Sequence, residues 1–241
     1  MKRAIKYLII NGLWSIVIIC LYSTPATAQT AESTHYLDSI RHELTIQWPK
    51  SRTVNLVFHG HSVPAGYGDR HEVNTLQSYP NLMLKKLKEK YPYAVINVIV
   101  TAIGGENSIK GQTRFENDVL VHKPDVLFID YALNDRFSDL AKVKDAWEKM
   151  IKAALDKNIK VILLTPSPDQ RIEINDAANP LEPYIAMIKS LAGEYKVGLA
   201  DPNAKFKEVA AQGKLKEVMA SVNHPNEAGH MIIVQELLPY F

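Results

Sequence analysis

The stretch Val54-Asn55-Leu56-Val57-Phe58-His59-Gly60-His61-Ser62-Val63-Pro64-Ala65-Gly66 opens as an apolar, β-branched run and stops abruptly at Gly60-His61-Ser62. An apolar run of this length with little polar alternation marks a strand buried on both faces. A strand that ends in a small-residue turn carrying a serine presents a hydroxyl at the carboxyl edge of a sheet, where open α/β folds gather their ligands. The backbone amides that follow are free to face a developing negative charge. A turn serine is also an ordinary loop feature, so the other strand ends must supply a base and an oxyanion site.

Outward from this stretch the chain alternates between two textures. Short aliphatic runs at Ala94 to Val100, Val126 to Tyr131, Val161 to Thr165 and Val197 to Ala200 predict four further buried strands. Between and after them, helical patterns run at about Tyr79 to Tyr91, Gly111 to His122, Leu140 to Asn158, Leu181 to Tyr195, Asn203 to Gln212 and Glu227 to Leu238. Five strands separated by helices predict a five-stranded parallel sheet with right-handed crossovers, an α/β fold built as a three-layer α/β/α sandwich. Before the first strand, Leu37, Ile40, Leu44 and Trp48 recur at helical spacing from about Glu32 to Trp48, and Pro49 ends the pattern. Pro166 to Pro183, rich in Pro, Asp and Asn, follows a strand and sits where a substrate-binding loop belongs.

Lys2, Arg3 and Lys6 precede the apolar run Tyr7 to Tyr22, which gives way to Ser-Thr-Pro-Ala26-Thr27-Ala28. This order predicts a secretory signal peptide over 1–28, cleaved after Ala28. It also predicts a periplasmic or secreted mature protein without a membrane anchor; an uncleaved anchor is the alternative. A helical extension over 29–50 and one domain over 51–241 follow. Cys20 is the only cysteine, so the mature chain holds no disulfide, thiol nucleophile or cysteine metal site. The chain has 28 Lys and Arg against 26 Asp and Glu, and three of the basic residues lie in the leader. The near-neutral balance that remains argues against nucleic acid or an anionic membrane surface as partner.

Loops at the carboxyl edge of a parallel sheet converge, so the polar residues after each strand are compared as a set. They are Gly60-His61-Ser62, Ile103-Gly104-Gly105-Glu106, Ala132-Leu133-Asn134-Asp135 and, before the last helix, His224-Pro225-Asn226. Together they offer a hydroxyl, a glycine turn, a side-chain amide and an imidazole, the parts of acyl transfer. Singly, each has a plainer reading as a turn residue or helix cap.

In this order the four blocks resemble those of the Ser-Gly-Asn-His (SGNH, or GDSL-type) hydrolases, and they span nearly the whole mature domain. The resemblance implies a flavodoxin-like SGNH hydrolase fold and a serine esterase working through an acyl-serine intermediate. It implies Ser62 as nucleophile and His224 as general base. The oxyanion hole would be the amides of Ser62 and Gly105 with the Asn134 side chain. Three positions depart from the family pattern: His61 stands where the family usually has aspartate, and Ala132 replaces a glycine. Ser221 stands three residues before the histidine, where the family places its acid. The group orienting His224 is then the Ser221 hydroxyl, a nearby carbonyl, or a carboxylate such as Glu217 or Glu227.

The expected substrate is a small-molecule or carbohydrate ester, with a small acyl group such as acetyl. Acyl transfer on the same site and a non-catalytic carbohydrate-binding domain are the rivals. No metal or organic cofactor is implied. His59, His61 and His71 show no ligand spacing of the H-E-x-x-H kind. Asp135 and Arg136 are expected to order the third loop, while Arg114, Glu116, Asp169 and Arg171 either line the pocket or are solvated.

Overall fold

The structure, a computed structural model, describes residues 30–241; the leader and its cleavage site lie outside them. The strands are β1 (Thr53–Gly60), β2 (Val95–Val100), β3 (Val126–Asp130), β4 (Lys160–Leu164) and β5 (Gly198–Ala200). They form one sheet in the order β2-β1-β3-β4-β5, each neighbouring pair parallel. The expected α/β/α sandwich is present, with the flavodoxin-like strand order. In such an order the crossovers leave in opposite directions from β1 and β3, which opens a crevice at their carboxyl ends.

Alternate residues along each strand divide between two cores. Leu56, Phe58, Phe128, Ile162 and Leu164 join one, with residues of the helices Tyr79–Lys90, Pro202–Ala211 and Glu227–Leu237. Val57, Leu127, Ile129, Val161 and Leu163 join the other, with Trp147, Met150 and Ile151 of helix Leu140–Leu155 and Ile188 and Leu191 of helix Glu182–Glu194. This double burial is why the central strands read as continuous apolar runs. The Phe58 and Phe128 rings stack across β1 and β3, centroids 4.2 Å apart.

Gly60 pairs in register with Asp130 at the end of this central pair. A β-carbon on residue 60 would stand 2.4 Å from the Asp130 carbonyl oxygen. Only glycine lets the two strand ends close here, and that closeness fixes what lies beside Ser62.

Two helical patterns differ from expectation. The Gly111 to His122 pattern is three short pieces: the helices Ser108–Thr113 and Phe115–Asp118 and the turn Leu120–His122. The first starts earlier because Asn107 caps it, accepting from the Lys110 amide at 3.1 Å. The break falls at Arg114, whose guanidinium turns back onto Glu106 and the Thr101 carbonyl. The Glu32 to Trp48 pattern is likewise two helices, Ser33–Tyr36 and Asp38–Thr45. The second ends before Pro49, leaving Trp48 exposed while Leu37, Ile40 and Leu44 enter the core. Among the described residues no helix is long and apolar enough to cross a membrane.

Candidate active site

Ser62 begins a one-turn helix, Ser62–Ala65, directly after β1 and His61. Its Oγ lies 2.9 Å from Nε2 of His224, a residue 162 positions further along the chain. For His224 to act as base the Ser62 hydroxyl must donate to Nε2, and the neutral imidazole then carries its proton on Nδ1. That Nδ1 is 3.0 Å from the Ser221 hydroxyl, which can accept from it. The residue at the family's acid position therefore does touch the histidine, as a neutral group.

The loop bearing His224 is held at several points. The His224 carbonyl accepts from the Ala220 amide at 2.9 Å and the Ser221 amide at 3.2 Å. Gln170, in the irregular segment after β4, donates through its backbone to the Val222 carbonyl at 2.7 Å and through its side chain to the Ser221 carbonyl at 2.9 Å. The preceding Asp169 is buried and pairs with Arg136 and Arg171. Burial opposes ionisation of Asp169, yet hydrogen bonds from Arg171 and the two guanidinium charges hold its carboxyl below the usual carboxylate range. Residues 169 and 170 thus tie the third block to the fourth, a role the sequence alone did not reveal. Asn226, and not His224, caps the last helix, accepting from the Gly229 amide.

The glycine block is fastened to its neighbours as well. The Ile103 amide donates to the Gly60 carbonyl at 3.0 Å, and the Asn134 side-chain amide to the Glu106 carbonyl at 2.9 Å. Gly105 adopts φ +76, a left-handed conformation costly for a side chain even though nothing crowds the space a β-carbon would take. The Glu106 side chain accepts from Arg114 and from the Tyr131 hydroxyl, the latter at 2.7 Å. Burial works against the Glu106 charge, but these bonds and the Arg114 charge keep its carboxyl below the usual range. Asp135 accepts from the Ser108 amide and from Trp147 Nε1, both at 2.8 Å. As expected, it orders the third loop; burial raises its carboxyl above the usual range despite those bonds.

The histidines separate. Gly111's carbonyl can only accept, so His59 Nε2, 3.2 Å away, carries the proton, and Nδ1 accepts from the Thr101 hydroxyl at 2.9 Å. Burial, then the Arg114 charge, lowers His59 to about 4. His61 instead faces the Val63 amide and Asp130. Among the described residues no three His, Cys, Asp or Glu side chains gather as a metal site. Tyr67 was not singled out from sequence. Its ring lies over Gly104, where a β-carbon would stand 2.8 Å from Cζ, and 6.1 Å from the His224 ring.

Known proteins resemble this chain in sequence and in fold. The model of the GDSL-like lipase/acylhydrolase family matches residues 58–232. An acetylxylan esterase of Geobacillus stearothermophilus is 27% identical over 191 residues, which cover 74% of this chain and 86% of that protein. Among solved structures, the acetylxylan esterase Axe2 of the same organism superposes with a TM-score of 0.67 at 24% identity, covering 77% of this chain and 92% of Axe2. A two-domain esterase active on acetylated mannans gives a TM-score of 0.68 at 20% identity, covering 84% of this chain and 52% of that one. The match begins at Phe58, on the strand that delivers Ser62, and runs past His224 into the last helix; the chain belongs to the GDSL-like lipase/acylhydrolase family and is an esterase of that family.

Proposed function

We propose that this esterase is exported and removes small acyl groups, acetyl above all, from carbohydrate through an acyl-serine intermediate. The observation that carries the reading is the 2.9 Å contact between Ser62 Oγ and His224 Nε2 at the carboxyl edge of the sheet. His224 takes the Ser62 proton as the hydroxyl attacks the ester carbonyl, then returns it to the departing alcohol. The amides of Ser62 and Gly105 and the Asn134 side chain receive the oxyanion. In the second half-reaction His224 draws a proton from water, which releases the acid and restores Ser62. The choice of acetylated carbohydrate is supported by the acetylxylan and acetylmannan esterases to which the chain is similar. Export is supported by the Lys/Arg-flanked apolar leader and the Ala26-Thr27-Ala28 site.

A fluorophosphonate probe should label the purified protein and fail to label Ser62→Ala. Acetate release from acetylated xylan and mannan should exceed cleavage of long-chain p-nitrophenyl esters; a preference for long acyl chains would overturn the substrate assignment. Amino-terminal sequencing of the exported product should begin at Gln29.

Ser221 supplies a further expectation. A carboxylate accepting from Nδ1 makes a charge-assisted bond roughly 1 to 1.5 kcal/mol stronger than a hydroxyl does and stabilises the imidazolium formed during attack. Ser221→Asp should therefore raise kcat about tenfold on p-nitrophenyl acetate. An unchanged kcat in a folded variant would show that the hydroxyl already serves as well.

A further inference from the structure

The Gly60 to Asp130 pairing brings the residue after Gly60 out of β1 next to the carboxylate that ends β3. His61 is fully buried and Asp130 is 4% exposed. His61 Nδ1 accepts the Val63 amide at 3.2 Å and lies 3.5 Å from Ser62 Oγ. A ring nitrogen that accepts carries no proton, so the neutral imidazole has its hydrogen on Nε2. Nε2 has no hydrogen-bond partner among the described residues, and Asp130 Oδ1 stands 3.4 Å from it, within ion-pair range. The other oxygen of Asp130 accepts from the hydroxyl of Tyr79, a fully buried residue, at 3.2 Å. A buried carboxylate and imidazole thus adjoin the serine, apart from the contact it makes with His224.

We propose that His61 and Asp130 are a positioning pair for Ser62. The inference rests on the reading of Ser62 as nucleophile. Asp130, held by Tyr79, fixes the tautomer and plane of the His61 ring. The Nδ1 lone pair, aimed at the Val63 amide, sets the turn that carries Ser62 and so directs its single proton to His224 rather than elsewhere. At 3.5 Å, His61 is a poor competitor for that proton against His224 at 2.9 Å. Capping alone would not need this arrangement, because asparagine or aspartate at position 61 could accept from Val63 equally well. A buried imidazole backed by a buried carboxylate does more: it allows only one ring orientation.

The test compares kcat, KM and fluorophosphonate labelling rate in four variants, with thermal melts to establish folding. Asp130→Asn and His61→Asn should each lower kcat and labelling about 10- to 100-fold with KM within about threefold, as expected for a small displacement of a reacting group. His61→Asp keeps a good capping group but sets two buried carboxylates together, and should be slow and less stable. His61→Asp with Asp130→Asn should recover to within about tenfold of the parent, because the new amide can donate to the new carboxylate.

If His61 is merely a cap, His61→Asn and Asp130→Asn run at the parental rate, which overturns the proposal. Nitrogen NMR adds a second reading: a His61 Nε2 signal that moves in Asp130→Asn supports the pair, and a proton on Nδ1 in the unmodified protein overturns it. Loss of labelling in Ser62→Ala together with parental rates in the His61 and Asp130 variants rejects the pair and leaves the nucleophile standing. Labelling that persists in Ser62→Ala rejects both.

Discussion

Asn134→Ala is expected to lower kcat by about 10²- to 10³-fold, some 2.7 to 4 kcal/mol, with little change in KM. The Asn134 side-chain amide has two hydrogens. One is committed to the Glu106 carbonyl at 2.9 Å, which fixes the plane of the amide and ties it to the residue after Gly105. The second is the one proposed to meet the oxyanion. A donor fixed before reaction needs no reorganisation when charge develops, which is why its removal is felt in the transition state more than in substrate binding. Asn134→Asp separates donor from shape: it fills the same volume, offers no N–H and opposes the negative charge, so its loss should be at least as large. A kcat within about threefold of the parent in either variant would remove Asn134 from the oxyanion hole.

Acid should unfold the protein through two buried histidines. His59 and His230 are each lowered to about 4, in both cases mainly by burial, against 6.5 for a free histidine. Between about pH 6.5 and pH 4 the unfolded chain binds protons at these sites and the folded protein does not, so stability falls as pH falls through this window. Below it both states are protonated and these two groups add no further loss. Each shift corresponds to about 3 kcal/mol. Two such groups amount to a large share of a domain's usual ~5 to 15 kcal/mol.

Asp135 acts in the opposite sense, since its raised value lets the folded state take a proton first and offsets part of the loss. Glu106 and Asp169, held below the carboxylate range, begin to cost stability only at lower pH. Urea midpoints measured from pH 7 down to pH 4 should decline steeply. His59→Gln and His230→Gln should each flatten the decline; a constant midpoint would contradict the buried neutral histidines.

The sheet was legible in the sequence because its central strands β1, β3 and β4 are covered on both faces, so burial wrote itself as aliphatic runs; the edge strand β2 is only partly buried, against the expectation of a buried strand, yet it is aliphatic enough to read the same way. The candidate site was legible where polar residues sit in short contiguous blocks: Ser62 and Asn134 occupy blocks just after β1 and β3, and His224 one just before the helix Glu227–Leu237. What escaped depends on pairings across the sheet. The neighbour of His61 is Asp130, sixty-nine positions away, and only the β1 to β3 register makes them meet. Asp130 did leave a trace, as a charge closing the apolar run Val126 to Ile129. The Asp169 and Gln170 ties left none, because Pro166 to Pro183 has no periodicity and its order comes from the partners it grips. The Gly111 to His122 pattern misled because the periodicity of apolar residues ignores the pull of Glu106 on Arg114.

The 162-residue separation of Ser62 from His224 has a bearing on when the molecule becomes reactive. Three of the four blocks lie in the first 135 positions, whereas the imidazole comes about ninety positions after the third, just ahead of the helix Glu227–Leu237. A chain cut between Asp135 and His224 keeps Ser62 but loses the imidazole proposed as its base, and should cleave no ester. If His224 serves as base, arming should wait on the docking of the helix Glu227–Leu237, and ester cleavage should report that the sandwich has closed. Split into two fragments between these points, the protein would make its own complementation assay, silent in either half and active only where both have joined.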